Sequence, residues 1–113
     1  MPPVQFDRAA VLANLDGDIE LLREIAGIYL ESYSNEIARI GAAIAAADAT
    51  AVYTLTHTLK GSAGNFGAAE LVAAARAIEQ QARQGRVDTV AADFEQLREL
   101  LEQLAAELRR ELG

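Results

Sequence analysis

A chain of 113 residues is long enough to bury the core of one domain but too short for two, so we expect a single domain over residues 1–113. Its formal net charge of -7 argues against a nucleic-acid partner or an anionic membrane surface, because both require clustered positive charge. The sequence has no Cys, which excludes disulfides, thiolate metal sites and a thiol nucleophile.

The order of apolar residues predicts an all-α fold, beginning with two helices. Ala is prominent among the 51% of residues that are hydrophobic, and Ala has the best helix propensity but little bulk for a strand face. We expect a short helix over about residues 7–15 and a long one over residues 18–46. Asp18 is the expected N-cap of the long helix, with Glu20 favourably placed in its first turn. One face of this helix carries Ile19, Leu22, Ala26, Tyr29, Tyr33, Ile37, Ile40 and Ile44, spaced by three or four residues.

Three further amphipathic helices are predicted over residues 49–64, 68–84 and 89–111. Asp48 is the expected N-cap of the first of them, which should end at Gly64-Asn65 because both residues tolerate the left-handed conformation. Gly85 ends the next. Four long helices with short connections predict an antiparallel four-helix bundle with a short extra N-terminal helix.

Two glycines, Gly27 and Gly41, lie inside the long predicted helix. Each costs about 1 kcal/mol relative to Ala in a helix interior. The sequence leaves three interpretations open: simple tolerance, close approach of a neighbouring helix, or a bend.

The chain's only His and only Lys, His57 and Lys60, are three residues apart in the same predicted helix. At about 100° per residue, His57 points roughly 160° away from the leucines of the apolar stripe, so the imidazole should face solvent. Tyr53, Lys60, Gly61 and Gly64 share its face. Helix termination needs one glycine rather than two, so we interpret this pair as clearance for a surface that approaches the imidazole.

A single His restricts the chemistry that this patch can perform. A metal site needs three or four ligands, and His57 without any Cys cannot supply a His/Cys cluster. Ser62 is five residues from His57 and lies on a different part of the helix face, so a His–Ser pair for acyl transfer is poorly supported. The sequence also has no phosphate-binding Gly-Lys-Ser/Thr loop. An imidazole with the ordinary pKa of about 6.5 is neutral at pH 7 and can attack an acyl phosphate, whose carboxylate leaves without a proton. The Lys60 ammonium would offset part of the phosphoryl charge.

The patch resembles the signature of histidine-containing phosphotransfer (Hpt) domains, the phosphoryl carriers of bacterial phosphorelays. The similar segment reads His57-Thr58-Leu59-Lys60-Gly61-Ser62-Ala63-Gly64, followed by Gly67. Further similarities lie at Phe6-Asp7, Asp16-Gly17-Asp18, Ala46-Ala47-Asp48 and Ile78-Glu79. The resemblance covers most of the chain and implies a bundle that accepts a phosphoryl group on His57 from a receiver-domain aspartate and passes it to a second receiver.

The same resemblance implies roles for individual residues. Lys60 would stabilise the phosphoryl group, and Gly61 and Gly64 would leave space for it. Glu79 matches the position that hydrogen-bonds the imidazole from the neighbouring helix, which would fix the tautomer and leave Nε2 as the nucleophile; a solvated helix residue is the alternative. A modest, partly apolar docking surface suits a carrier that must release two partners. Its expected residues are Tyr53, Thr54, Thr58, Ala68, Leu71 and Val72.

Implied partners are response-regulator receiver domains and a hybrid sensor histidine kinase, with no nucleic acid and no direct membrane contact. The resemblance implies no metal, cofactor, ATP site or kinase activity in this chain, and Mg²⁺ on the partner receiver. A monomer suffices for this chemistry. The N-terminal segment lacks signal-peptide character, and no apolar run approaches the roughly 20 residues of a membrane span, so we expect a cytoplasmic location. The chain is then either free-standing or the cytosolic module of a membrane-bound hybrid kinase.

Two other function classes remain open on the sequence alone. A degenerate member of the family could dock receivers as a helical adaptor without phosphotransfer, although the intact His57, Lys60 and Gly61 argue against this. A metal-dependent enzyme built on a bundle is the second alternative, and the ligands for it are missing from the sequence.

Overall fold

The structure, a computed structural model, describes residues 6–112, and in this range it contains five helices and no strand. The helices are α1 (Arg8–Asn14), α2 (Ile19–Ala45), α3 (Ala49–Gly64), α4 (Ala69–Arg83) and α5 (Ala91–Leu112). The predicted all-α fold with a short N-terminal helix is confirmed, and no predicted helix end differs from the observed one by more than two residues. The expectation about signal-peptide character falls mainly on residues 1–5, outside the described range.

Three aspartates begin the first three helices. The carboxylates of Asp7, Asp18 and Asp48 accept hydrogen bonds from the backbone N–H three residues later, at 3.0, 3.1 and 3.1 Å. Each bond satisfies a donor that has no partner within the helix. The predicted N-caps Asp18 and Asp48 are therefore confirmed. Asp48 fixes where α3 starts and hence where His57 falls along it.

α3 ends at Gly64 as predicted, but neither Gly64 nor Asn65 adopts the expected left-handed conformation. Asn65 remains right-handed, with φ of -62°, and the left-handed residue is Gly67, with φ of +65°. Hydrogen bonds from Asn65 N–H to Ser62 O and from Phe66 N–H to Ala63 O continue the turn beyond the helix. This extension buries Phe66, which is only 1% exposed, so the need to place an aromatic ring in the core moves the reversal to Gly67.

Helices α2 to α5 form the predicted antiparallel bundle around one core. α3 packs most extensively against α4, while α2 contacts both α3 and α5, and α4 contacts α5. The bundle measures 42 × 25 × 20 Å. Fully buried residues from all four helices include Leu22, Ile40, Val52, Leu59, Leu71, Ile78, Leu97, Leu101 and Leu104. The close α3–α4 pair is the framework on which the histidine face is built.

The two glycines inside α2 have different surroundings. A Cβ at Gly41 would lie 3.4 Å from Cζ of Phe94 on α5, so this glycine lets the two helices approach closely. A Cβ at Gly27 would meet nothing within 4 Å. Both lie within one uninterrupted helix. Close approach therefore explains Gly41, and simple tolerance explains Gly27.

Glu36 on α2 is a half-buried carboxylate, with one oxygen removed from water. Its Oε2 is buried and has no hydrogen-bond partner among the described residues. Burial raises the pKa of the Glu36 carboxyl, and the nearby Arg39 only partly opposes this. The ionised form of Glu36 therefore reduces the free energy of unfolding at neutral pH.

We expect Glu36→Gln to stabilise the domain at pH 7 by about 1 kcal/mol, or about 4 °C in Tm. The gain should shrink on acidification, because the folded-state pKa lies above the unfolded value. The wild-type carboxyl takes up a proton as the pH falls through its folded-state pKa, and the penalty is absent below about pH 4. Thermal melts over this pH range test the prediction. Glu31→Gln, at an exposed position of α2, is the control. A stability difference between wild type and Glu36→Gln that does not change with pH would contradict the prediction.

Candidate functional site

His57 lies in α3 with 59% of its side chain exposed, as its helical phase predicts. The residues that α3 buries are on the other side of the helix: Val52, Thr56, Leu59 and Ala63. Tyr53, one turn earlier, stacks its ring on the imidazole with centroids 5.8 Å apart and planes 13° apart. The stacked ring restricts one side of the imidazole and leaves its edge accessible to solvent.

Glu79 of α4 reaches across the helix pair and contacts both basic residues of α3. Its Oε2 lies 2.6 Å from Nδ1 of His57, and its Oε1 accepts a hydrogen bond of 2.9 Å from Nζ of Lys60. Glu79 follows the buried Ile78, so it lies at the edge of the α3–α4 interface, with 11% of its side chain exposed. Lys60 is also mostly covered, with 22% of its side chain exposed.

The charge state of Glu79 determines which nitrogen of His57 carries hydrogen. Burial by itself raises the pKa of the Glu79 carboxyl, but the hydrogen bonds from Lys60 and His57 and the attraction of their charges outweigh burial, and the pKa is lowered overall. Glu79 is thus a carboxylate at neutral pH and can only accept hydrogen bonds. Nδ1 of His57 must then be the donor, which leaves the lone pair on Nε2.

The glycine pair next to His57 leaves open space on the surface. Gly61 and Gly64 are exposed, and a Cβ added at either would meet nothing within 4 Å. No internal contact of the described chain therefore requires glycine at these positions. From Gly64 a groove of about 320 Å³ continues along α4 past Val72 to Arg76. The use of this space by a partner remains a prediction.

The residues predicted for docking do not all lie on the surface. Thr54 and Thr58 are exposed, Tyr53 is half-buried and stacks on His57, and Val72 is half-buried in the groove that begins at Gly64. Ala68 and Leu71 are each 0% exposed and belong to the core, so their assignment to a docking surface was wrong. They lie where the start of α4 packs against the end of α3, and this interface runs directly beneath the exposed glycines.

One exposed apolar residue beside the histidine helix was not predicted from the sequence. Ile28 is 65% exposed and lines a cleft of about 190 Å³ between α2 and α3, together with Ser62 and Asn65. A sign of it was present, because Ile28 lies off the apolar stripe of α2 and such a residue has no place in the core. A large apolar side chain exposed near the histidine helix is a candidate contact for a partner.

Within residues 6–112, no three His, Cys, Asp or Glu side chains are grouped so that they could hold a metal ion. Among the helices of the same range, none combines the length and the apolar character that crossing a membrane requires.

Comparisons with known proteins identify the family and the fold of the chain. The family model described as Hpt domain matches residues 24–107. The crystal structure of histidine-containing phosphotransfer protein B (HptB) from Pseudomonas aeruginosa PAO1 is similar, with a TM-score of 0.86 and 20% identity over 95% of this chain and 93% of that one. At this identity the structural match supports the fold. No curated protein matches this chain in sequence.

Proposed function

Because the chain belongs to the Hpt domain family, whose members carry out histidine phosphotransfer in phosphorelays, we propose that His57 receives a phosphoryl group from one receiver domain and passes it to another. One observation carries the proposal: the imidazole of His57, whose side chain is 59% exposed, has its Nδ1 held by a carboxylate at 2.6 Å, which leaves Nε2 as the nucleophilic nitrogen. The phosphorylated aspartate of a receiver is the matching donor, since an acyl phosphate reacts with a neutral imidazole without further acid catalysis.

The proposed transfer is an in-line displacement at phosphorus. The lone pair of Nε2 forms the N–P bond while the bond between phosphorus and the aspartyl oxygen breaks, and the carboxylate leaves with that electron pair. Positioning and charge compensation supply most of the rate in such a step. Glu79 orients the ring, and Lys60 lies one turn from it as the nearby cation. The same step in the opposite direction then transfers the phosphoryl group from Nε2 of His57 to the aspartate of the second receiver.

We assign the remaining requirements of the reaction to the partner. The proposed carrier has no ATP site, kinase activity or cofactor of its own, and the receiver brings Mg²⁺ to the shared site. Donors and acceptors are response-regulator receivers, including one within a hybrid sensor histidine kinase. The domain works as a monomer, because one histidine face is sufficient for one receiver at a time. Its proposed location is the cytoplasm.

The proposed docking surface combines accessible residues of α3 with neighbouring residues of α2 and α4. It comprises Tyr53, Thr54, Thr58 and Val72, together with the open strip at Gly61 and Gly64 and the exposed Ile28. This surface is small and only partly apolar, which suits complexes that must dissociate after each transfer.

Incubation with a receiver that carries a radioactive aspartyl phosphate tests the proposal. We expect label to appear on this chain in an acid-labile, alkali-stable form, while the receiver loses it. The adaptor alternative makes the opposite prediction: the receiver binds, and its label stays on the receiver or is released as inorganic phosphate. That outcome would refute the phosphotransfer proposal.

Lys60→Ala should slow phosphoryl transfer about tenfold or shorten the phosphohistidine lifetime, without unfolding the domain. Two unit charges about 4 Å apart gain about 1 kcal/mol in water and more when a docked partner excludes solvent, and a tenfold change corresponds to 1.4 kcal/mol. Rapid-quench labelling measures the rate. Lys60→Arg retains the charge and should lose less activity. Unchanged rate and lifetime in Lys60→Ala would mean that Lys60 has no part in transfer.

A further inference from the structure

The contact between Glu79 and His57 has a consequence for the phosphorylated state. We propose that the Glu79 carboxylate retains the proton on Nδ1 of phosphorylated His57 and so keeps the phosphoryl group transferable at alkaline pH. The inference rests on the proposed phosphorylation of Nε2. In this role Glu79 is a positioning residue that holds the proton on Nδ1 and also orients the imidazole ring.

Proton balance explains why this proton matters. Attack by Nε2 converts the neutral ring into a phosphorylated imidazolium, which still has its hydrogen on Nδ1. When the phosphoryl group departs to an acceptor carboxylate, the electron pair of the N–P bond returns to Nε2. The leaving group is then neutral imidazole. If Nδ1 has lost its proton beforehand, the leaving group must be imidazolate, which is far more basic and departs much more slowly.

The geometry suits a carboxylate at position 79 better than an amide. Both neighbours are donors: Nζ of Lys60 at 2.9 Å from one oxygen and Nδ1–H of His57 at 2.6 Å from the other. A carboxylate accepts from both at once, whereas an amide has one acceptor oxygen and must present its NH₂ group to one of the donors. A charged acceptor also stabilises the imidazolium more than a neutral one, since charge-assisted hydrogen bonds are about twice as strong. With 11% of its side chain exposed, Glu79 is only weakly screened by water.

Other titratable groups line the surfaces beside α3 and the helices packed against it. Tyr53 and Lys60 lie on α3 itself, Arg76 and Arg83 line grooves of α4, and Glu36 and Arg39 of α2 line the cleft that Thr54 and Thr58 also line. Of the described residues, only Glu79 is hydrogen-bonded to the imidazole. Substitution of Glu79 by Gln also removes the ion-pair partner of Lys60. An uncompensated ammonium and a lost carboxylate both disfavour the imidazolium, so the comparison reports the Glu79 charge together with its neutralisation of Lys60.

Glu79→Gln provides the test. Wild type and variant are phosphorylated on His57 chemically with phosphoramidate, which requires no receiver. Nitrogen NMR of the labelled imidazole then follows protonation of Nδ1 with pH. We expect the midpoint of this titration to fall by about one pH unit in Glu79→Gln. Transfer to an unphosphorylated receiver should be similar near pH 6 and about tenfold slower in the variant near pH 8.5.

Two further variants complete the design. Glu79→Asp retains the negative charge and should keep the midpoint closer to that of wild type than Glu79→Gln does. Glu70→Gln, at an exposed position of the same helix, should leave both the midpoint and the pH profile unchanged. Coincident titrations of wild type and Glu79→Gln would overturn the inference. Failure of transfer in every variant, with the shift in titration intact, would instead count against the proposed function alone.

Discussion

Replacement of His57 by Gln is expected to reduce labelling of this chain by a phosphorylated receiver at least about a thousandfold, to background. The sequence contains no other His, and the amide of Gln has no nucleophilic nitrogen. The fold should survive, because the His57 side chain is 59% exposed and makes no core contact that a polar chain of similar length would disturb. The Gln amide can still donate to Glu79, and the ion pair of 2.9 Å between Glu79 and Lys60 does not depend on the imidazole.

The control for His57→Gln separates chemistry from folding and docking. Glu99→Gln places the same side chain at an exposed position of α5, a helix that packs on α2 and α4. It should be labelled like wild type. Circular dichroism and a receiver-binding assay should show His57→Gln folded and still able to dock. If His57→Gln takes up label as fast as wild type, the nucleophile is a different residue.

The parts of the fold that the sequence predicts well are those set by neighbours along the chain. An aspartate that caps a helix bonds the backbone three residues later, so Asp18 and Asp48 can be recognised without any knowledge of packing. The apolar spacing of α2 is likewise local. The outward direction of His57 follows from the same periodicity, because the buried stripe of α3 fixes where the opposite face must point.

Contacts between helices are less accessible to sequence reasoning. Resemblance to the family suggested that Glu79 meets the imidazole, but nothing in the spacing indicated that its other oxygen binds Lys60. These partners are separated by 22 and 19 residues, and their meeting depends on how closely α3 and α4 approach. Ala68 and Leu71 failed as docking residues for the same reason. Whether an apolar residue near a predicted site faces the core or the solvent depends on how its helix is rotated about its own axis. The neighbouring residues in the sequence do not determine that rotation.

The open space at Gly61 makes a second large effect testable. We expect Gly61→Leu to reduce phosphoryl transfer at least about 100-fold, because its side chain would stand beside the imidazole where the phosphorylated aspartate must approach, and misplacement by about 1 Å costs that much. The folded domain itself accommodates the change, since a Cβ at this position meets nothing within 4 Å. Leu also has better helix propensity than Gly, so the variant should be more stable by about 0.5–1 kcal/mol. Activity and stability should therefore move in opposite directions.

Gly27→Leu is the matched control, because it makes the same change inside another helix at a position that is equally free of neighbours. Gly27 lies within about 40° of Gly41 around α2, on a different helix from His57 and outside the proposed docking surface. Its substitution should raise the free energy of unfolding by a similar amount and leave transfer unchanged. Thermal melts and rapid-quench labelling of both variants separate the two effects. Transfer at the wild-type rate by a folded Gly61→Leu would show that the receiver does not approach His57 over the glycine strip.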